Sequence, residues 1–217
     1  MLLFAGKVDT VSQYTDHSGH LNHAIQPTAA NQPTILTGSD SVAINANKGG
    51  SCYNFDGVDN YLYLTNNIDL SAGGTILGWY NCDALTTDNQ IISGFNAANG
   101  DRFSIQLMGD DSLRMSYFDG TNTYPLSFSA TEANVWNYYA FTFDGTATVT
   151  AYLNHDRLPD GANAPESTSN AGVFIGCRQD TVNFFEGKMV GIRIYDEVLT
   201  SAQILARRKM DISGMVA

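Results

Sequence analysis

The chain reads as short runs of alternating side chains separated by tight-turn signals. Phe103, Ile105 and Leu107 alternate with Ser104 and Gln106, and Leu113, Met115 and Tyr117 alternate with Arg114 and Ser116. Val149, Ala151 and Leu153 alternate with Thr150 and Tyr152, which turns Tyr152 away from the apolar set. A period of two places each apolar set on one face of a strand. Residues 75–82, 136–143 and 173–177 are apolar at nearly every position, the pattern of strands covered on both sides. The dipeptides Asp56-Gly57, Asn99-Gly100, Asp119-Gly120, Asp144-Gly145 and Asp160-Gly161 punctuate these runs and suit the left-handed backbone of tight turns. Many short strands with turns between them predict an all-β fold of two packed antiparallel sheets.

One helix is predicted, at the end. Thr200 followed by Gln203 forms a capping box, Ala202, Ile204, Leu205 and Ala206 are helix formers, and Arg207, Arg208 and Lys209 suit the negative end of the helix dipole. Residues 24–48, rich in Pro, Thr, Ala, Asn and Gln, read as a long loop with one strand around 34–37. The expected organisation is one domain over residues 1–209 and a tail over 210–217 that either frays or docks on a partner.

Composition sharpens this picture. With 43% hydrophobic and 15% charged residues the chain is a packed globular one rather than a disordered one. Its net charge of −11 is the wrong sign for a nucleic acid backbone or an anionic membrane surface, so neither is expected as a partner. The basic cluster at residues 207–209 is explained by its place at a helix end. No apolar run reaches the ~18 residues of a membrane span, and the opening residues lack the pattern of a secretion signal. Cys52, Cys82 and Cys177 have no metal-type spacing, and there is no Asn-x-Ser/Thr sequon. Free buried thiols and folding in the cytosol are therefore expected.

Four segments carry a family resemblance. They are residues 16–23 (DHSGHLNH), 55–62 (FDGVDNYL), 136–145 (WNYYAFTFDG) with the strand 149–154 after it, and 185–195 with 199–204. In this order they resemble the laminin-G-like branch of the concanavalin A-like lectin/glucanase jelly rolls. The resemblance implies a concanavalin A-like jelly-roll sandwich with one short C-terminal helix. It implies a role only loosely, because the fold serves sugar binding, protein binding and surface display.

Candidate chemistry is sparse. His17, His20 and His23 lie near Asp16, a transition-metal ligand set by composition, although Ser18-Gly19 breaks the helical spacing that such ligands use. Calcium is the better-matched ion, since Asp16, Asn22 and loop carbonyls are hard oxygen donors and the resemblance implies a calcium site near this loop. Val190 and Gly191 stand where the family carries an acidic pair. Glycoside hydrolysis needs paired carboxylates, and Glu132, Glu166, Glu186 and Glu197 lack the E-x-D-x-x-E arrangement of the glucanase members. No catalytic residue is assigned. Trp79, Tyr80, Trp136, Tyr138, Tyr139, Tyr152 and Tyr195 are the inventory for a sugar-stacking platform.

The reading is a non-enzymatic binding or display domain. The favoured setting is a phage virion, as a head decoration or tail appendage that folds in the cytosol, joins other virion or surface proteins as an oligomer or assembly component, and meets surface glycans. The alternatives are a free, extracellular lectin-like module and a glycoside hydrolase.

Overall fold

The computed structural model describes residues 10–37, 51–70, 72–85, 88–98, 100, 102–118, 123–128, 131–145, 148–154, 156–158, 161–162 and 172–216. The turns expected at 119–120 and at Asp160, and the part of the expected loop from 38 to 48, lie outside the described residues.

Alternation becomes strands wherever it was regular. In chain order these are β1 (Gln13–Tyr14), β2 (Ala24–Ile25), β3 (Thr34–Thr37), β4 (Ser51–Asp56), β5 (Leu62–Leu64), β6 (Gly74–Cys82), β7 (Asn89–Phe95) and β8 (Arg102–Leu107). There follow β9 (Leu113–Phe118), β10 (Thr123–Phe128), β11 (Asn137–Phe143), β12 (Thr148–Leu153), β13 (Asp156–Arg157), β14 (Gly161–Ala162), β15 (Gly172–Ile175) and β16 (Glu186–Tyr195). They form a front sheet in the order β1-β2-β5-β15-β7-β8-β9-β10 and a back sheet in the order β13-β12-β11-β6-β16-β4-β3, with β14 beside β12. The pairings among described strands are antiparallel, as a jelly roll requires.

The core lies between the sheets. Phe103, Ile105, Leu107, Leu113, Met115 and Tyr117 from the front meet Ile76, Tyr80, Tyr139, Phe141 and Met189 from the back, all buried. Turn chemistry holds the ends. The Asp56 Oδ1 accepts the amides of Val58, Asp59 and Asn60 while Gly57 takes φ +73°, a conformation that glycine adopts without a Cβ clash.

The C-terminal helix α1 spans Ser201–Val216 and therefore continues beyond residue 209, where the tail was expected to begin. The capping box is present: the Gln203 amide donates to Thr200 Oγ1 at 3.3 Å and the Thr200 amide to Gln203 Oε1 at 2.8 Å. Ile204 buries against Leu77, Trp79, Tyr138, Ala140 and Tyr152, which are the outward side chains of β6, β11 and β12. The helix thus seals the outer face of the back sheet, and no helix among the described residues is long and apolar enough to cross a membrane.

Candidate functional site

The opening loop is built by its own side chains. Asp16 Oδ1 accepts the Ser18 amide at 2.7 Å and Oδ2 the Asn22 amide at 2.9 Å. The Ser18 hydroxyl, with the Ser18 and Asn22 amides, holds the Asp16 carboxyl down to about 2. Asn22 Oδ1 accepts the Asn66 amide at 3.1 Å, tying the loop to the turn after β5. His23 Nδ1 accepts the Asp16 amide, so one nitrogen of this imidazole closes the loop.

Beside this loop a groove of about 920 Å³ opens, with an apolar floor that includes Leu64, Ile175, Ile192 and Ile194 and a rim that includes Asp16, Asp69 and Asp196. The oxygen chemistry of that rim suits calcium. Among the described residues no three His, Cys, Asp or Glu side chains come together in one cluster. Val190 and Gly191, in place of the family's acidic pair, line a narrow apolar crevice with Tyr14, Tyr53 and Phe55.

The aromatic inventory read from the sequence is used up by packing. Trp79, Tyr138 and Tyr152 lie under α1, where the Tyr152 and Ser201 hydroxyls are 2.8 Å apart and the Arg208 guanidinium sits 5.6 Å from the Trp79 ring. Tyr80 and Tyr139 are in the core between the sheets, and Trp136 and Tyr195 pack half-buried at the helix margin.

The outer face of the front sheet is different, because no helix covers it among the described residues. Register places its outward side chains in rows. The middle row runs Tyr63, Phe174, Ser93, Ser104, Ser116 and Pro125 across six strands. One flanking row carries Phe95, Arg102, Phe118 and Thr123, and the other carries Gln90, Gln106, Arg114 and Ser127. Rows are about 7 Å apart along the strands.

Two features stand out on this face. At one edge Tyr61, Tyr63, Phe174 and Phe184 form a half-exposed aromatic wall, with Tyr61 6.3 to 6.4 Å from each of the other three rings and Tyr63 6.2 Å from Phe174. Next to it is a fixed polar floor that is largely buried, with Gln90 and Ser93 inaccessible and Ser104 half-buried. Gln90 Nε2 donates to Ile92 O, Ser104 Oγ and Ile105 O at 2.7, 3.0 and 2.9 Å, and Ser104 Oγ lies 2.8 Å from Gln106 Oε1. Residues 177–183 fold over the β7 part of this floor, where the Ser93 hydroxyl donates to the Cys177 carbonyl and the Gln90 amide to that of Asn183. None of the four wall aromatics was in the sequence inventory. The signal was there in the alternation of Tyr61 and Tyr63 with Leu62 and Leu64.

A family model described as the concanavalin A-like lectin/glucanases superfamily matches residues 56–205. No curated protein sequence matches the chain. Among solved structures, domain 4 of AbnA, an extracellular arabinanase from Geobacillus stearothermophilus in complex with arabinotriose, is similar at 20% identity and a TM-score of 0.62, over 92% of this chain and 98% of that one. The Ruminococcus gnavus IT-sialidase CBM40 bound to α2,3-sialyllactose is similar at 20% identity and a TM-score of 0.53, over 66% and 91% of the two chains. A native heptameric SAP-like pentraxin from Limulus polyphemus matches at 16% identity and a TM-score of 0.56, over 70% and 78%. At such identities the likeness is one of fold.

Proposed function

The chain belongs to the concanavalin A-like lectin/glucanases superfamily, and from that premise we propose that it is a non-enzymatic carbohydrate-binding domain whose ligand lies on the outer face of the front sheet. The observation that carries this is the half-buried aromatic wall of Tyr61, Tyr63, Phe174 and Phe184, set on one face with the half-buried hydroxyl-bearing Ser104. Aromatic rings cover the apolar face of a sugar, and fixed polar groups orient its hydroxyls. The solved neighbours with arabinotriose and sialyllactose support the same reading.

A non-enzymatic role is supported by the solved neighbours, which are named as a carbohydrate-binding module bound to sialyllactose and a domain in complex with arabinotriose.

The setting we propose is display on a phage virion after cytosolic folding. Its support is the three buried cysteines, none of them in a disulfide, whose thiols burial pushes up to about 11 at Cys52 and Cys82 and about 12 at Cys177, which disfavours the reactive thiolate. Mass spectrometry of purified particles from a producing culture tests it by presence or absence of the chain. A calcium ion held by Asp16, Asn22 and loop carbonyls is a separate proposal, supported by the donor chemistry alone, and the glycan reading does not depend on it.

A glycan array probed with the wild-type chain and with the double variant Tyr63→Ala/Phe174→Ala tests the binding reading. Specific binding by the wild type and about tenfold or greater loss in the variant is expected. Repeating the array with EDTA tests calcium, since loss of the signal would place the ion in the site. Silence of the wild type across the array overturns the carbohydrate reading.

A further inference from the structure

Resting on the reading that the front face holds a glycan, we propose that the glycan is acidic and that Arg102 and Arg114 recognise its anionic group. The chain carries twice as many acidic as basic residues, 22 against 11. The front face runs against that balance. Arg102 and Arg114 point outward from it, in the rows on either side of Ser104 and Ser116, and Arg178 stands on the segment folded over it. Among the described residues, Asp180 and Asp110 feel the charge of these arginines. Asp180 is taken by Arg178, whose Nε and Nη2 reach its two oxygens at 2.7 and 2.6 Å, and it also feels the charge of Arg102. Asp110, near Arg114, accepts the Ser112 hydroxyl at 2.6 Å. Among the described residues these arginines form a locus of positive charge on a molecule of net charge −11. An anionic ligand is drawn to this face and repelled by most of the rest of the surface.

The two guanidinium groups are set up for recognition. The Arg102 guanidinium carbon lies 4.2 Å from the centroid of the Phe118 ring, its cross-strand partner. The contact holds the guanidinium over the ring, and a guanidinium pairs with a carboxylate or sulfate through its edge N–H groups. Arg114 is half-buried, and its Nε is buried without a hydrogen-bond partner among the described residues. The buried Nε is closed to solvent, so a ligand anion meets Arg114 through the other N–H groups of its half-buried guanidinium. Between the two lie the hydroxyls of Ser104 and Ser116, suited to the neutral part of the sugar. The aromatic wall at Tyr63 and Phe174 continues the same row.

Matched probes separate this inference from the reading beneath it. Titration calorimetry compares lactose with 3′-sialyllactose, and galactotriose with trigalacturonate, on the wild type and on Arg102→Gln, Arg114→Gln, Tyr63→Ala and Lys209→Gln. Thermal melts confirm that each variant is folded. The expected result is that at least one acidic probe binds about tenfold or more tightly than its neutral partner. That preference falls with added salt, is lost in Arg102→Gln and Arg114→Gln, and is kept in Lys209→Gln. Equal affinity for neutral and acidic probes, lost in Tyr63→Ala and untouched by the arginine variants, overturns the acidic ligand and leaves the carbohydrate reading standing. Acidic preference that survives both arginine variants overturns the assignment of the residues. Failure of all four probes, together with a silent array, removes the carbohydrate reading itself.

Discussion

At the scale of single residues, buried polar atoms separate structural from functional groups. The hydroxyls of Tyr80 and Tyr139 are buried between the sheets without hydrogen-bond partners among the described residues, and burial pushes both phenols well above their ordinary range. Each hydroxyl costs desolvation and returns no bond, so Tyr139→Phe is expected to leave stability unchanged or raise it by about 1 kcal/mol in urea unfolding. A loss beyond about 1 kcal/mol would show a hidden partner. Asp16 has the opposite character. Its carboxylate is favoured by the Ser18 hydroxyl and two amides, so its folded value of about 2 lies under the reference value of 3.8. The stability this contributes is present above pH 4 and is lost as pH falls through 2. Asp16→Asn should flatten that part of the pH–stability curve, and an unchanged curve would remove Asp16 from the explanation.

At the scale of elements, alternation found some strands and continuous apolar runs found others. Residues 103–107, 113–117 and 149–153 were legible because each presents one apolar face to one core, and Thr200 with Gln203 marked the start of the helix. The reach of α1 to Val216 was hidden by Ser213 and Gly214, whose weak helix propensity reads as a tail. Tyr152 was read correctly as turned away from the core, but strand alternation carries no information about what lies over the outward side, and the helix there removed it from the sugar inventory. The stack of Arg102 on Phe118 was illegible for a related reason: it depends on the register between β8 and β9. The sealing role of the helix gives a direct expectation. Ile204→Ala should cost about 2 to 4 kcal/mol and expose Trp79, seen as a red shift of its fluorescence, without weakening binding at the front face. Impaired glycan binding in a folded Ile204→Ala variant would place the ligand on the wrong sheet.

At the scale of the whole molecule, the sandwich uses its two outer faces differently. The back sheet spends its aromatic side chains on holding α1, while the front sheet keeps an aromatic wall, a fixed polar floor and three arginines on a chain of net charge −11. This asymmetry is the physical basis for assigning binding to the front face. The direct measurement is an amide NMR titration of the labelled chain with the strongest glycan from the array. Saturable shifts should concentrate at Tyr63, Ser93, Ser104, Ser116, Phe118 and Phe174, with little change at Ile204 or Leu77 under the helix. Shifts confined to residues 16–22 and the groove beside them, or to α1, would contradict the front face as the binding surface.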